Sequence, residues 1–523
     1  MKIVNPATEE IIRDIQEDSP DSVNQKFKLL QAAQVNWQKV TLAQRIEILR
    51  TFSDLLEKNV EALASILTSE VGKPLQQSRN EINGARARIK WLTDNADKYL
   101  ADEVMIQEGN LTERISYEPL GVVCNISAWN YPYLVGVNVF VPALLAGNAV
   151  MYKPSEYSTL TGLEIERLLK QAGVPNDVFH VAVGARSVGE LLLELPFNGY
   201  FFTGSYKTGK YIYEKVAPKM VPCQLELGGK DPLYVADDVA DIKAVAASTA
   251  DGAFYNNGQS CCAVERIYVN EKVYDQYVDE FIKEVKSWKI GKPTEAAVYI
   301  GSLSRKDQLS FLETQVQDAV QKGGKVLVGG KRIDGTGYYF EPTVITNATH
   351  QMSMMREESF GPIIGIMKVK SDDEAIELMK DTEYGLTAAV YSNNQSRAEN
   401  ILEQINSSCI SDVTELFRIF RIDSTCKTDK PFHDNSLNRY IFVPTHSQSL
   451  VKMYCDLKPF ENNHKARRFL KHLLYLRYNI PNFQFTIQNL LIAEKKNLHW
   501  QKQPKFFYKC QATPFHLKVS KRF

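Results

Sequence analysis

The chain has 523 residues, 44% hydrophobic and 24% charged, with 62 Lys and Arg against 62 Asp and Glu. That length exceeds one ordinary domain, the composition is that of a soluble globular protein, and zero formal charge supplies no field to gather nucleic acid or anionic lipid. No apolar run is long enough to cross a bilayer, and eight cysteines in this length make no disulfide framework, so a reducing, cytoplasmic setting with free thiols is expected.

The start, MKIVNPATEE, lacks the apolar core of a secretory signal, and the mature fold is expected to begin at once. Val23, Phe27, Leu30 and Ala33 recur at helical spacing, as do Ile46, Leu49, Phe52 and Leu56, and predict two helices. The polar, alternating stretch 111–117 predicts a protruding hairpin within 101–119. Apolar runs at 122–126, 149–152, 179–183, 200–202 and 233–235 read as buried strands, with helical patterns such as 160–171 between them. The alternation continues with helices at 273–288 and 304–322, a strand at 325–328 and a helix at 373–379. Two successive open α/β domains, each a mostly parallel sheet covered on both faces, fit this pattern.

Several constellations carry chemistry. Asn130 lies in Ser127-Ala128-Trp129-Asn130-Tyr131-Pro132; its amide suits a developing oxyanion, yet on spacing alone it reads equally as a turn residue before proline. Lys153-Pro154-Ser155-Glu156 follows a strand, where Lys153 and Glu156 suit ribose hydroxyls and a carboxylate disfavours the 2′-phosphate of NADP; a helix start with an acidic first turn reads the same way. Gly204 and Gly209, spaced Gly-x-x-x-x-Gly around Ser205, open a helix whose N-terminus suits a pyrophosphate, although a tight strand-to-helix turn gives the same pattern.

Glu226-Leu227-Gly228-Gly229-Lys230 supplies a carboxylate in partly apolar surroundings, which raises its proton affinity and suits a general base. Gly258-Gln259-Ser260-Cys261 supplies a thiol, with local positive potential expected to lower its pKa; the adjacent Cys262 competes for the role. Glu358-Ser359-Phe360-Gly361-Pro362 reads either as a charged loop before a strand or as a ribose carboxylate and a ring against a nicotinamide.

These six motifs, in this order, resemble the NAD(P)-dependent aldehyde dehydrogenase superfamily over residues 1–408. The resemblance implies a Rossmann-like cofactor domain at 1–100 and 120–227, an oligomerisation hairpin at 101–119 and a catalytic domain at 228–408. It implies Cys261 as nucleophile, Glu226 as base for water and Asn130 at the oxyanion. For the cofactor it implies Trp129, Lys153, Ser155, Glu156, Gly204, Ser205, Gly209, Leu227, Gly228, Glu358 and Phe360. NAD is the expected cofactor ahead of NADP, a small or medium aldehyde the expected substrate, and a homodimer or homotetramer the expected assembly.

The ending departs from that family. All 28 glycines lie at or before Gly385, and residues 409–523 hold 20 Lys and Arg against 8 Asp and Glu, leaving 1–408 at 42 against 54. The family's glycine-rich closing segment is missing. We read 409–523 as non-homologous sequence from a shifted frame or retained intron, rather than an appended basic domain that touches nucleic acid; an uninterrupted, well-expressed transcript across the junction counts against this. Lost final strands are then expected to leave an open sheet edge, poor stability, a disturbed tunnel mouth and weakened dimerisation. The tail's six histidines lack metal-ligand spacing, so no metal site is expected. A catalytically silent binding or structural protein is the alternative function. A CoA-acylating relative is a third, which the hydrolytic base Glu226 disfavours.

Overall fold

The computed structural model describes residues 1–407 and 409–413. A short antiparallel pair of strands, Lys2–Val4 with Ile11–Asp14, comes first, followed by four helices: Pro20–Trp37, Leu42–Lys58, Val60–Val71 and Leu75–Leu100. Local chemistry sets their ends. Ser19 caps the first, with Pro20 in its first turn, where the missing N–H costs nothing. Thr41 and Gln44 form a reciprocal capping box on the second. Gly72, at φ 76°, closes the third in the left-handed region.

A hairpin follows, Glu103–Glu108 paired antiparallel with Leu111–Ile115, and exposes Val104, Met105, Leu111 and Ile115. The chain then builds a five-stranded parallel sheet: β1 Val122–Ile126, β2 Ala149–Lys153, β3 Phe179–Val181, β4 Gly199–Thr203 and β5 Cys223–Glu226, in spatial order β3-β2-β1-β4-β5. Every residue of β2 is buried, as a strand covered on both faces requires. The early helices share one apolar core with this sheet; Trp37, for instance, donates its indole N–H to Leu144 O at 3.1 Å.

Residues 227–230 alone separate β5 from the second sheet, which comprises β6 Asp231–Val235, β7 Val264–Asn270, β8 Lys325–Val328, β9 Thr343–Thr346, β10 Ile363–Val369, β11 Thr387–Tyr391 and β12 Cys409–Val413. Its order is β8-β9-β10-β7-β6-β11-β12, antiparallel only between β8 and β9. The helices Tyr274–Ser287 and Lys306–Gln321 lie within two or three residues of the predicted bounds.

One expectation is corrected at the junction. The change of composition at 408 suggested that the sheet stops there. Instead β12 runs parallel to β11, pairing Thr387 with Cys409 through Tyr391 with Val413, so the fold continues five residues further. The remainder of the expected basic tail lies outside the described residues. No described helix is long and apolar enough to cross a membrane.

Candidate active site

Cys261 lies beyond a backbone turn of unusual shape. The helix Ile242–Phe254 ends in a short 3₁₀ turn, within which Asn256 (φ 55°), Asn257 (φ 58°) and Gly258 (φ 70°) are all left-handed. Asn and Gly tolerate that region best, and surrounding bonds hold them there. Asn256 N donates to Gln77 Oε1 at 2.9 Å, Asn257 Nδ2 to Ser302 O at 2.9 Å, and Gly301 N to Asn257 Oδ1 at 2.8 Å. A Cβ on residue 258 would lie 2.2 Å from Gly361 O, so only glycine fits between the turn and the Glu358–Pro362 loop.

Cys261 and Cys262 set two thiols side by side, and Ser260 Oγ lies 3.3 Å from Cys262 Sγ. They titrate as a pair: the neighbouring Cys262 thiol, then burial and the carboxylates of Asp231 and Glu358, push Cys261 up, while Cys262 is held down by its neighbour Cys261. The positive potential expected from sequence to lower the Cys261 pKa is not what acts on it: among the described residues its neighbours Cys262, Asp231 and Glu358, together with burial, raise it.

Asn130 follows β1 and is 3% exposed. Its Nδ2 donates to Gln259 O at 3.1 Å, two residues before Cys261. Asn256 Nδ2 joins the two segments, reaching Asn130 O at 3.2 Å and Gln259 O at 3.0 Å. The fold thus brings the Asn130 amide to the nucleophile turn, the association that spacing alone left open.

Glu226 closes β5, with Thr203 opposite it on β4. Burial raises its pKa, opposed weakly by a 3.4 Å hydrogen bond from Gln224 Nε2. Three residues on, Gly229 touches Cys261: a Cβ there would lie 2.8 Å from Cys261 O. That contact ties the segment carrying the carboxylate to the segment carrying the thiol.

The remaining candidates gather at the carboxyl ends of the first sheet, where open α/β sheets take ligands. Lys153 ends β2, is 5% exposed, and donates to Pro154 O at 3.1 Å; burial lowers its pKa, with Glu156 opposing. Ser155 Oγ donates to Glu156 Oε2 at 3.2 Å. Gly204 follows β4 and its N–H reaches Glu226 O at 3.0 Å, while Ser205 caps the helix Tyr206–Val216 through Thr208 N. Gly209 in that helix packs against the end of the Leu227 side chain, which a Cβ there, 2.3 Å from Leu227 Cδ2, would have to displace.

Gly228 is equally confined, by the Glu358 carboxylate at 2.2 Å from a built Cβ, and Gly229 N donates to Glu358 Oε1 at 3.2 Å. Burial, followed by the charge of Glu265, pushes Glu358 up to about 8. Phe360, at φ 47°, meets Trp129 edge to face with centroids 5.5 Å apart.

Sequence reasoning passed over the groups that hold this loop. Lys230 is buried, forms an ion pair with Glu265, and donates to Ser359 Oγ at 3.1 Å. Glu265 also accepts from Ser359 N at 2.9 Å and Phe360 N at 3.0 Å. Lys230 stood inside the Glu226–Lys230 motif without a role, and Glu265 lies on the strand Val264–Asn270, which sequence did not predict; that strand is buried at every residue, where a carboxylate needs partners. Among the described residues no cluster of three or more His, Cys, Asp or Glu could hold a metal.

Comparison with known proteins agrees with this geometry. The model of the aldehyde dehydrogenase family matches residues 1–412. A 3,6-anhydro-alpha-L-galactose dehydrogenase of Vibrio sp. (strain EJY3) is 34% identical over 412 residues, covering 77% of this chain and 85% of its own length. A solved structure of an E. coli NADP dependent enzyme superposes with TM-score 0.76 at 28% identity, over 79% of this chain and 86% of that one. A structure of an indole-3-acetaldehyde dehydrogenase complexed with NAD+ does so with TM-score 0.76 at 30% identity, over 79% and 85%. With its two parallel sheets, its left-handed cysteine turn and a family match spanning residues 1–412, this chain belongs to the aldehyde dehydrogenase family.

Proposed function

We propose that the chain oxidises an aldehyde to a carboxylic acid, with NAD as hydride acceptor and Cys261 as nucleophile. The observation that carries this is the contact of Gly229 with the Cys261 carbonyl, which joins the Glu226 carboxylate to the thiol through residues 227–229.

The residues present fit a dinucleotide. The Gly204-Ser205 turn opens the helix Tyr206–Val216, whose N-terminus suits a pyrophosphate, and the buried Lys153 ammonium has spare donors. Gly228 leaves the Glu358 carboxylate uncovered by any Cβ. When bound, NAD accepts the hydride lost by the substrate carbon. Preference over NADP rests on the Glu156 carboxylate, which repels a 2′-phosphate.

The chain's own residues do the rest. Cys261, as thiolate, adds to the aldehyde carbon. The Asn130 amide and the Cys261 backbone N–H stabilise the oxyanion of the thiohemiacetal. After hydride loss the acyl group remains on Cys261 as a thioester. Glu226, its proton affinity raised by burial, takes a proton from water, and the hydroxide releases the acid.

Residues 1–100 and 120–227 then form the cofactor domain, and 228–408, extended by β12, the catalytic domain. The exposed apolar residues of the hairpin support a role in pairing subunits as a homodimer or homotetramer, and a cytoplasmic setting keeps the thiols reduced.

The test follows NADH with an aldehyde panel. Native chain should turn over. Cys261→Ser should not, and Glu226→Gln should give about one NADH per chain and stall as acyl-enzyme, visible by intact mass. Turnover by Cys261→Ser would end this reading.

A further inference from the structure

Three polar side chains within nine residues of chain reach both halves of the candidate site. Lys73 leaves the Gly72 corner, and Gln77 and Glu81 lie one helical turn apart on Leu75–Leu100. The Lys73 and Glu81 side chains are both 0% exposed and form an ion pair. Lys73 Nζ donates onward to Asn130 O at 2.7 Å and lies 3.8 Å from the centroid of the Tyr131 ring. Glu81 Oε1 accepts from Tyr133 N at 2.8 Å, in the first turn of the helix Pro132–Leu145. Gln77 faces the other segment: its Oε1 takes Asn256 N at 2.9 Å, and its Nε2 donates to Tyr299 O at 3.1 Å.

A buried ion pair is a poor source of stability, because desolvating two charges offsets most of their attraction, and apolar residues of similar volume do as well or better. What such a pair supplies is direction. Here its bonds end on the carbonyl of Asn130 and at the start of the next helix, fixing the Asn130 loop at both ends. One turn away Gln77 fixes the left-handed turn that leads to Cys261.

We propose that Lys73, Gln77 and Glu81 are positioning residues that set the placement of the Asn130 amide relative to the Cys261 backbone. This rests on the reading of Asn130 and Cys261 given above. None of the three touches substrate; they act through Asn130 and Asn256.

The test uses the full chain in a double-mutant cycle. Lys73→Met with Glu81→Leu replaces the ion pair by apolar groups without stranding a charge. That variant should melt within a few degrees of the native chain and bind NAD within about twofold of native affinity. Its kcat should fall tenfold or more, with little change in the aldehyde KM. Asn130→Ala should then cost a smaller factor in this background than in the native chain, because the amide is already misplaced.

An equal cost of Asn130→Ala in both backgrounds overturns the proposal while leaving the catalytic reading intact. No cost of Asn130→Ala in the native chain removes the reading of Asn130, and this proposal with it. If the paired variant does not fold, Gln77→Leu decides: a tenfold fall in kcat with unchanged melting supports the role, Gln77→Glu should recover part of it by restoring the acceptor, and an unchanged kcat overturns it.

Discussion

Gly229 lies against the carbonyl oxygen of Cys261, so that a Cβ on residue 229 would sit 2.8 Å from that oxygen and 2.4 Å from Asp231 Oδ1. Backbone cannot yield as a flexible side chain does. Gly229→Ala should therefore push the cysteine segment away from Glu226. A displacement approaching 1 Å costs on the order of 100-fold in rate where reacting groups must meet. Steady-state NADH formation should show kcat falling by about that factor, with the melting curve nearly unchanged. Native turnover in the variant would mean that the segment yields freely.

Glu358 gives a pH dependence. Burial and the neighbouring Glu265 hold its carboxyl at about 8, so at pH 7 most molecules carry it protonated. Ribose hydroxyls donating to this group would favour its ionised form. NAD affinity should then rise with pH and level off above about 8, and binding at pH 7 should release a proton. Calorimetry in two buffers of different ionisation enthalpy measures the release. Glu358→Gln should remove it; proton uptake, or release persisting in that variant, contradicts the assignment.

Glu156 is the proposed discriminator against NADP. Glu156→Ser removes the charge that would face a 2′-phosphate. The ratio of kcat/KM for NADP to that for NAD should rise by about tenfold or more, since repulsion between like charges is relieved. An unmoved ratio places the discrimination elsewhere.

Glu70 tests the scaffold rather than the chemistry. It is buried and accepts from Leu160 N at 2.6 Å, Thr161 N at 2.8 Å and Thr161 Oγ1 at 2.7 Å, so that one helix caps the start of another. Glu70→Ala leaves these donors without a partner and should cost about 2–4 kcal/mol. Urea unfolding measures it, and a loss under about 0.5 kcal/mol would show that water replaces the carboxylate.

The elements that sequence located well are those with one physical solution. Residues 122–126 and 325–328 form strands within the predicted bounds, because short β-branched apolar runs have few other uses. The order of motifs likewise singled out Cys261, Glu226 and the Glu358 loop as candidates. What stayed hidden was pairing across long separations. Asn130 meets Gln259 across 129 residues, and nothing local announces it. Lys73 and Glu81 drew no notice in the sequence, since burial of a charge is a property of the fold and not of the residue. The strand Cys409–Val413 was missed for a different reason: the change in composition began at its first residue and masked five residues that pair with Thr387–Tyr391.

The link of residues 227–230 joins the two sheets directly. Its leucine fills the space beside Gly209, and its lysine is buried against Glu265, so neither end is free to swivel. The two sheets are accordingly geared together as one frame. A single residue inserted into that link should put the carboxylate and the sulfur out of step.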